Sequence, residues 1–141
     1  MLDRLREQHS EILALARTLA DLARLIPTAG HGLRLRAALD RWAALLGEHL
    51  ALEDQRLYPQ LLASADPLVS SSARRFSAEM GGLASAFAVF DERWRDASAI
   101  EREAASFRGD LDSVTEALTQ RILAEENLLY LLQGRAGARA G

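Results

Sequence analysis

The stretch GEHLALEDQRLYP, residues 47–59, decides how the fold is interpreted, because a stripe that should face the core turns polar within it. Earlier in the same segment, apolar residues recur every three or four positions, as in an amphipathic helix: Leu35, Leu39, Trp42 and Leu46. Continuing this spacing leads to His49 and then Glu53. The pattern therefore predicts a helix that points an imidazole and a carboxylate towards the protein interior.

The composition is typical of a single helical domain. The chain has 141 residues, of which 49% are hydrophobic and only three are proline. A domain of this size buries about two-thirds of the surface that its unfolded chain exposes. The net charge of −3 provides no basic surface for nucleic acid or an anionic membrane, and the N-terminus is too charged for a signal peptide. We expect a cytoplasmic protein that binds neither nucleic acid nor a membrane.

Three turn-forming segments divide the chain into four helical stretches: IPTAGHG at 26–32, ASADP at 63–67 and DASAIE at 96–101. Asp66 is predicted to cap a helix that starts at Pro67, and Ser98 and Glu101 have the spacing of a capping box. Each stretch has one apolar face, which predicts an all-α fold, an antiparallel up-down four-helix bundle.

We expect the bundle to comprise residues 1–133 and the glycine-rich segment 134–141 to be a disordered tail.

The rise of a helix places the first two histidines at the same height. His9 lies 18 residues before Pro27 and His49 lies 19 residues after Gly30. At 1.5 Å per residue, both are about 27 to 28 Å from the turn that joins their helices. The sequence therefore predicts that the two imidazoles lie in one layer of the bundle.

The same calculation adds three carboxylates to this layer. Glu53 and Glu79 lie at nearly equal distances on either side of the second turn. Glu125 reaches the layer only if residues 98 to about 105 form a loop or a separate cap, since the helical lengths otherwise differ by about 12 Å. The candidate layer thus contains His9, His49, Glu53, Glu79 and Glu125.

A buried carboxylate without a partner costs several kcal/mol or becomes protonated, whereas a bound cation neutralises it. Imidazole and carboxylate groups are ligands that iron, manganese and zinc accept. The five side chains are therefore candidate metal ligands. A metal-free hydrogen-bonded network is the open alternative.

The segment HLALEDQRLYP, with a His-x-x-x-Glu pattern followed by Leu-Tyr-Pro, resembles the hemerythrin-like (HHE cation-binding) domain family. REQHSEIL supplies a first-helix histidine, His9. RILAEENLLYL is a less complete copy of the HLALEDQRLYP motif, and it contains Glu125. The resemblance spans essentially the whole chain. It implies a four-helix bundle that holds non-haem iron and binds oxygen or related small molecules.

The ligand set is degenerate compared with that family, because Met80 and Arg121 stand where histidines are expected. Arg121 lies one turn before Glu125, so its guanidinium can pair with Glu125 or Glu53 and replace part of the charge of a missing ion. Gly81 and Gly82 within a helical stretch indicate close helix approach or room for a bound group. They predict a pocket beside the polar layer.

Several residues other than the candidate ligands have simpler interpretations. Glu126 and Asp54 are expected in solvent or just outside the ligands, and Tyr58 and Tyr130 in the core with hydrogen-bonded hydroxyls. Four other aromatic residues are predicted to be core: Trp42, Trp94, Phe87 and Phe90.

Three functions follow from this interpretation. The favoured one is a non-haem metal-binding protein, not an enzyme, with one or two ions, preferably iron, that senses, stores or scavenges O2, NO or iron. Its partners would be the metal ion and a small diatomic ligand. Manganese, zinc or no metal are open alternatives to iron, and a homodimer is an open alternative for the oligomeric state. The second is a metal-free bundle that acts as an interaction or regulatory module. The third is a carboxylate-rich dimetal oxidase or peroxidase.

Overall fold

Helix-forming residues dominate the sequence, and the backbone follows that preference. A computed structural model describes residues 2–28 and 30–140, and within these ranges it contains no strand. The elements are α1 (Leu2–Ala23), α2 (His31–Leu52), a π-helical segment (Glu53–Leu57), α3 (Tyr58–Leu62), α4 (Pro67–Met80), α5 (Leu83–Arg93), α6 (Ala97–Arg102) and α7 (Ala104–Ala140). The predicted all-α fold class is confirmed.

The helices pack into one bundle. Helix α1 packs against α2 and α7, while α2 also contacts α5 and α6. Helix α7 contacts α4, α5 and α6 in addition to α1. These partners place four helical stretches around a shared interior, and the antiparallel up-down order stays a prediction.

The ends of α4 follow local sequence signals. The Asp66 side chain accepts a hydrogen bond of 3.0 Å from the Leu68 backbone N–H, and Pro67 occupies the first turn, as predicted. The stretch that we expected to form a single third helix is divided after Met80, because Gly81 and Gly82 form a turn before α5.

The predicted capping box at Ser98 is wrong. Asp96 caps α6 instead, with its side chain accepting from the Ser98 backbone N–H at 2.9 Å. The Glu101 carboxylate reaches across to the backbone N–H groups of Gly30 and Gly32, at 3.1 Å each. It thereby satisfies donors at the start of α2, which have no earlier carbonyl in their own helix.

The short helix α6 accounts for the difference of about 12 Å in helical length that the sequence predicted for Glu125. Residues 97–102 form a separate helical turn before α7 begins at Ala104. Glu125 can then reach the layer of His9 and His49. The condition that residues 98 to about 105 form a loop or a separate cap is met by α6 and Glu103, although α7 already begins at Ala104.

Among the residues that the structure describes, the core consists of two apolar clusters. The larger one contains the four aromatic residues predicted for the core: Trp42, Trp94, Phe87 and Phe90. The smaller one comprises Leu5, Leu57, Tyr58, Phe76, Leu128 and Leu129. Tyr130 is 77% exposed, so its predicted core position is wrong. The preceding two leucines occupy the core-facing side of α7 and turn Tyr130 outward.

The backbone of α7 is helical as far as Ala140, through most of the segment where we expected a disordered tail. Gly141 lies outside the described residues, and the division of the chain at residue 133 stays a prediction. None of the helices in the described ranges combines the length and apolar character needed to cross a lipid bilayer.

Two glycines of α2 should respond in opposite ways to alanine. A Cβ at Gly32 would lie 2.6 Å from the Ala97 carbonyl oxygen, whereas one at Gly47 would meet nothing within 4 Å. We expect Gly32→Ala to lower the free energy of unfolding by about 1 to 3 kcal/mol. Gly47→Ala should raise it by about 0.5 to 1 kcal/mol, because alanine favours the helix. Urea unfolding measures both, and equal effects would contradict the close approach of α6 to α2.

Candidate metal centre

Four of the five predicted ligands meet inside the bundle. His9 comes from α1, His49 from α2, Glu53 from the π-helical segment and Glu125 from α7. One nitrogen or oxygen atom of each lies within 4.8 Å of the corresponding atoms of the others. All four side chains are buried. The predicted coincidence of His9 and His49 in one layer is confirmed.

This polar cluster separates the two apolar clusters of the core. On α1, His9 lies between Leu5 of the smaller cluster and Ile12 of the larger one. On α7, Glu125 is likewise preceded and followed by buried apolar residues of the two clusters. The four ionisable side chains are therefore enclosed by apolar packing along the bundle.

The inner contacts of the cluster are short. His9 Nε2 lies 2.8 Å from Glu125 Oε1 and 3.2 Å from His49 Nε2. His49 Nε2 also contacts Glu53 Oε1 and lies 3.4 Å from Glu125 Oε1. Two imidazole nitrogens and two carboxylate oxygens therefore converge on one small space.

The outer nitrogens of both rings are held by acceptors. His9 Nδ1 lies 2.6 Å from Glu126 Oε1, and His49 Nδ1 lies 2.9 Å from Gln8 Oε1. Because these oxygens accept, each Nδ1 donates, and the Nε2 lone pair of a neutral ring faces the cluster. Glu126 was expected in solvent or just outside the ligands, and the structure places it just outside them. The contact of Gln8 was not foreseen, since an amide beside a histidine forms no recognisable motif.

The outer oxygens of both carboxylates also have partners. Arg121 Nη2 donates to Glu53 Oε2 at 2.9 Å, and the Tyr58 hydroxyl donates to Glu125 Oε2 at 3.2 Å. Arg121 Nη1 donates to the Met80 carbonyl at 2.8 Å. The predicted pairing of Arg121 with a cluster carboxylate is confirmed, as is the buried, hydrogen-bonded Tyr58.

The donor set fits a metal ion. Glu53 Oε1 is buried and accepts no hydrogen bond within the described part of the chain, although it contacts His49 Nε2. Ligand atoms on opposite sides of a transition-metal ion are about 4.4 Å apart at bond lengths near 2.2 Å. The 4.8 Å spread of the four atoms is close to this value. A cation between them would satisfy all four lone pairs.

Glu79 does not join the cluster, which corrects the sequence interpretation. Its side chain is exposed on α4. The buried face of that helix includes Val69, Ala73 and Phe76 and continues to the half-buried Met80. Glu79 precedes Met80 by one position, and a helix turns by about 100° per residue, so its side chain points outward.

The sequence matches the family model described as "Hemerythrin HHE cation binding domain" over residues 1–132. The chain belongs to the hemerythrin HHE cation-binding family. The matched range includes all four residues of the buried cluster. Neither the search of curated proteins nor that of solved structures returned a significant match. Family membership confirms the resemblance that the sequence motifs indicated.

In this hemerythrin domain, a distorted turn follows Glu53 and positions Tyr58. The backbone N–H of Tyr58 donates to the Glu53 carbonyl five residues earlier, which is a π-helical bond. Pro59 has no N–H, and its ring would clash with the carbonyl four residues before it in a regular helix. The wider turn relieves that clash, and both Glu53 and Tyr58 are buried. Sequence reasoning missed this turn, although Pro59 was its signal.

The carboxylates attract positive charge into the hemerythrin cluster. Burial alone would lower the pKa of His49, but its contacts with Glu125 and Glu53 outweigh burial and raise it to about 9. The pKa of His9 is also raised, because contacts with Glu125 and Glu126 exceed the effect of burial. Burial raises the pKa of Glu53. Burial also acts to raise the pKa of Glu125, but hydrogen bonds from both histidines outweigh it and hold that pKa below its usual range. The carboxylates therefore favour the protonated form of both imidazoles.

The predicted pocket lies beside the cluster and has a volume of about 250 Å³. Arg121 and Tyr58 line it on the side of the cluster, and Phe76, Met80 and Leu50 are among its apolar walls. A Cβ at Gly81 would approach the Ser77 carbonyl oxygen to 2.7 Å, so glycine is needed where α4 ends at this pocket. The pocket expected from Gly81 and Gly82 is confirmed.

The metal-free domain should become less stable as the pH rises above neutrality. The pKa of His49 is about 9 in the folded state and 6.5 in the unfolded chain, so the native state retains a proton that the unfolded chain releases. The resulting stabilisation, about 3 kcal/mol, is complete below pH 6.5 and is lost as the pH rises through 9. Urea unfolding with a chelator between these values measures the slope.

The variant His49→Gln should make this pH slope shallower, because it removes one of the two histidines whose pKa is raised in the folded state. The matched variant His31→Gln, which lies outside the cluster at the start of α2, should leave the slope unchanged. A wild-type stability that rises over this pH range would contradict the proposed protonation of the cluster.

Proposed function

We propose that this hemerythrin domain binds a divalent non-haem metal ion through His9, His49, Glu53 and Glu125, with iron as the favoured metal. One observation carries the proposal. The Nε2 atoms of two buried imidazoles and two carboxylate oxygens converge, while both Nδ1 atoms donate to outside acceptors. Such outer hydrogen bonds are the usual means by which proteins orient histidine ligands and fix their tautomer.

The ligand chemistry narrows the choice of metal. Imidazole nitrogen and carboxylate oxygen suit iron, manganese and zinc, while softer ions prefer sulfur. The chain contains no cysteine, so thiolate ligands are excluded. Similarity to the family favours iron over manganese and zinc.

The adjoining pocket supports a small diatomic ligand such as O2 or NO. The pocket is small, and apolar side chains form much of its wall, which favours a small apolar molecule over a large polar substrate. A bound ion would supply a coordination position for such a molecule. Tyr58 and Arg121, which line the pocket, hold the two carboxylates in place. We propose a sensing, storing or scavenging role and not an enzymatic one.

One contact favours the metal-free alternative, in which the bundle is an interaction or regulatory module. The guanidinium of Arg121 already neutralises part of the buried negative charge through Glu53. Protonated imidazoles could supply the remainder. Metal analysis distinguishes this alternative from the favoured function.

The proposed setting is the cytoplasm, and neither nucleic acid nor a membrane is expected as a partner. The net charge of −3 supports the absence of a nucleic-acid partner. A homodimer is an open alternative, and the mass in solution tests it.

Protein produced with ample iron and purified without chelators should contain bound iron. We expect His49→Ala and Glu53→Gln each to reduce the metal content per chain at least about tenfold, since removal of an outer partner alone typically costs 10- to 100-fold in affinity. Elemental analysis measures the metal, and circular dichroism confirms that each variant is folded.

Two matched variants control for loss of a histidine or a carboxylate elsewhere. His31→Ala and Glu79→Gln change the same residue types outside the cluster, and both should retain the wild-type metal content. A folded wild-type protein without metal would reject this function in favour of the metal-free module.

Access of a diatomic ligand should depend on the pocket. Ala84→Phe fills the pocket from its wall, so we expect slower binding of NO to the iron-loaded protein with unchanged iron content. Stopped-flow absorbance under anaerobic conditions measures the rate. Ala86→Phe is the matched control, because this residue lies on the same helix but lines a different pocket. Equal rates of NO binding in the two variants would exclude the pocket as the route by which NO reaches the iron.

A further inference from the structure

The two oxygens of each carboxylate in the cluster have different partners, and the arrangement is the same for Glu53 and Glu125. Each directs Oε1 towards the histidines, and each has a protein donor on Oε2. For Glu53 this donor is the guanidinium of Arg121, and for Glu125 it is the hydroxyl of Tyr58. The oxygens with which the carboxylates could bridge to a second ion are therefore already engaged.

Arg121 is fixed in this position by more than its contact with Glu53. Its Nη1 donates to the Met80 carbonyl, in the last turn of α4, where carbonyl groups lack helical partners. Its guanidinium carbon lies 5.6 Å from the centre of the Phe76 ring, an arrangement that favours a cation. The Arg121 side chain is only 10% exposed. The division of α4 and α5 at Gly81 therefore helps to hold a positive charge beside Glu53.

We propose that Arg121 acts as an internal cation that limits this centre to one metal ion. This inference rests on the proposed function. With Glu53 and Glu125 ionised, one divalent ion and Arg121 give the cluster a net charge of about +1, whereas a second divalent ion would raise it to about +3 in an apolar interior. Arg121 is thus a residue that determines stoichiometry, and it acts through Glu53 Oε2.

Two pairs of substitutions test the role of the charge. Met80 and Arg121 both line the pocket beside the cluster. Histidines at these positions would therefore add two nitrogen atoms that can bind a metal near Glu53 Oε2. The double variant Met80→His/Arg121→His loses the guanidinium. The comparison double variant Met80→His/Arg121→Lys gains one new nitrogen ligand atom and retains a positive charge at position 121.

Each protein is titrated with Mn²⁺ to excess, and bound metal is measured by equilibrium dialysis with elemental analysis. We expect one ion per chain for the wild type and for the variant that carries Arg121→Lys, and two for the variant that carries Arg121→His. Electron paramagnetic resonance should show an isolated Mn²⁺ ion in the first two proteins and a spin-coupled pair in the third.

The outcomes separate this inference from the proposed function. A folded wild type that binds no metal rejects the function itself. A wild type that binds two ions in the cluster overturns the inference but leaves metal binding intact, and this result requires no variant to fold. Two ions in the variant with Arg121→Lys, or one ion in the folded variant with Arg121→His, also overturn the role of the charge.

Discussion

Two carboxylates inside an apolar bundle are the constraint on which the rest of this structure depends. Glu53 and Glu125 are completely buried, and ionised groups in such surroundings require compensating positive charge or hydrogen bonds. The structure supplies both, through two histidines on neighbouring helices, one arginine and one tyrosine hydroxyl. Replacing any one partner would leave a buried charge without compensation in an apolar environment.

The supporting residues give the centre two distinct sides. Towards the middle, unshared electron pairs converge and attract a cation. Towards the outside, Glu126 and Gln8 orient the imidazoles, while Arg121 and Tyr58 orient the carboxylates. This division explains how a hemerythrin domain with two histidines in its cluster can keep these side chains in an ordered arrangement.

Much of the fold and most of the candidate centre could be predicted from periodicity. Helical spacing placed His9, His49, Glu53 and Glu125 on core-facing stripes, and the rise per residue placed the histidines in one layer. Glu79 was wrong because an error of one position on a helix rotates a side chain by about 100°, and the break after Met80 ends the stripe there. Tyr130 failed for the same reason, since its neighbours Leu128 and Leu129 face the core.

The sequence by itself determined the helical class, the main turns and the inward direction of the polar side chains, because these depend on local spacing and on capping residues. Only the tertiary structure decided which atoms meet: Gln8 with His49, Arg121 with Glu53, and Glu101 with the start of α2. These contacts join residues that are from 41 to 71 positions apart. Long side chains can reach several acceptors from one helical position, so spacing along the chain does not select among them; the packing of the helices does.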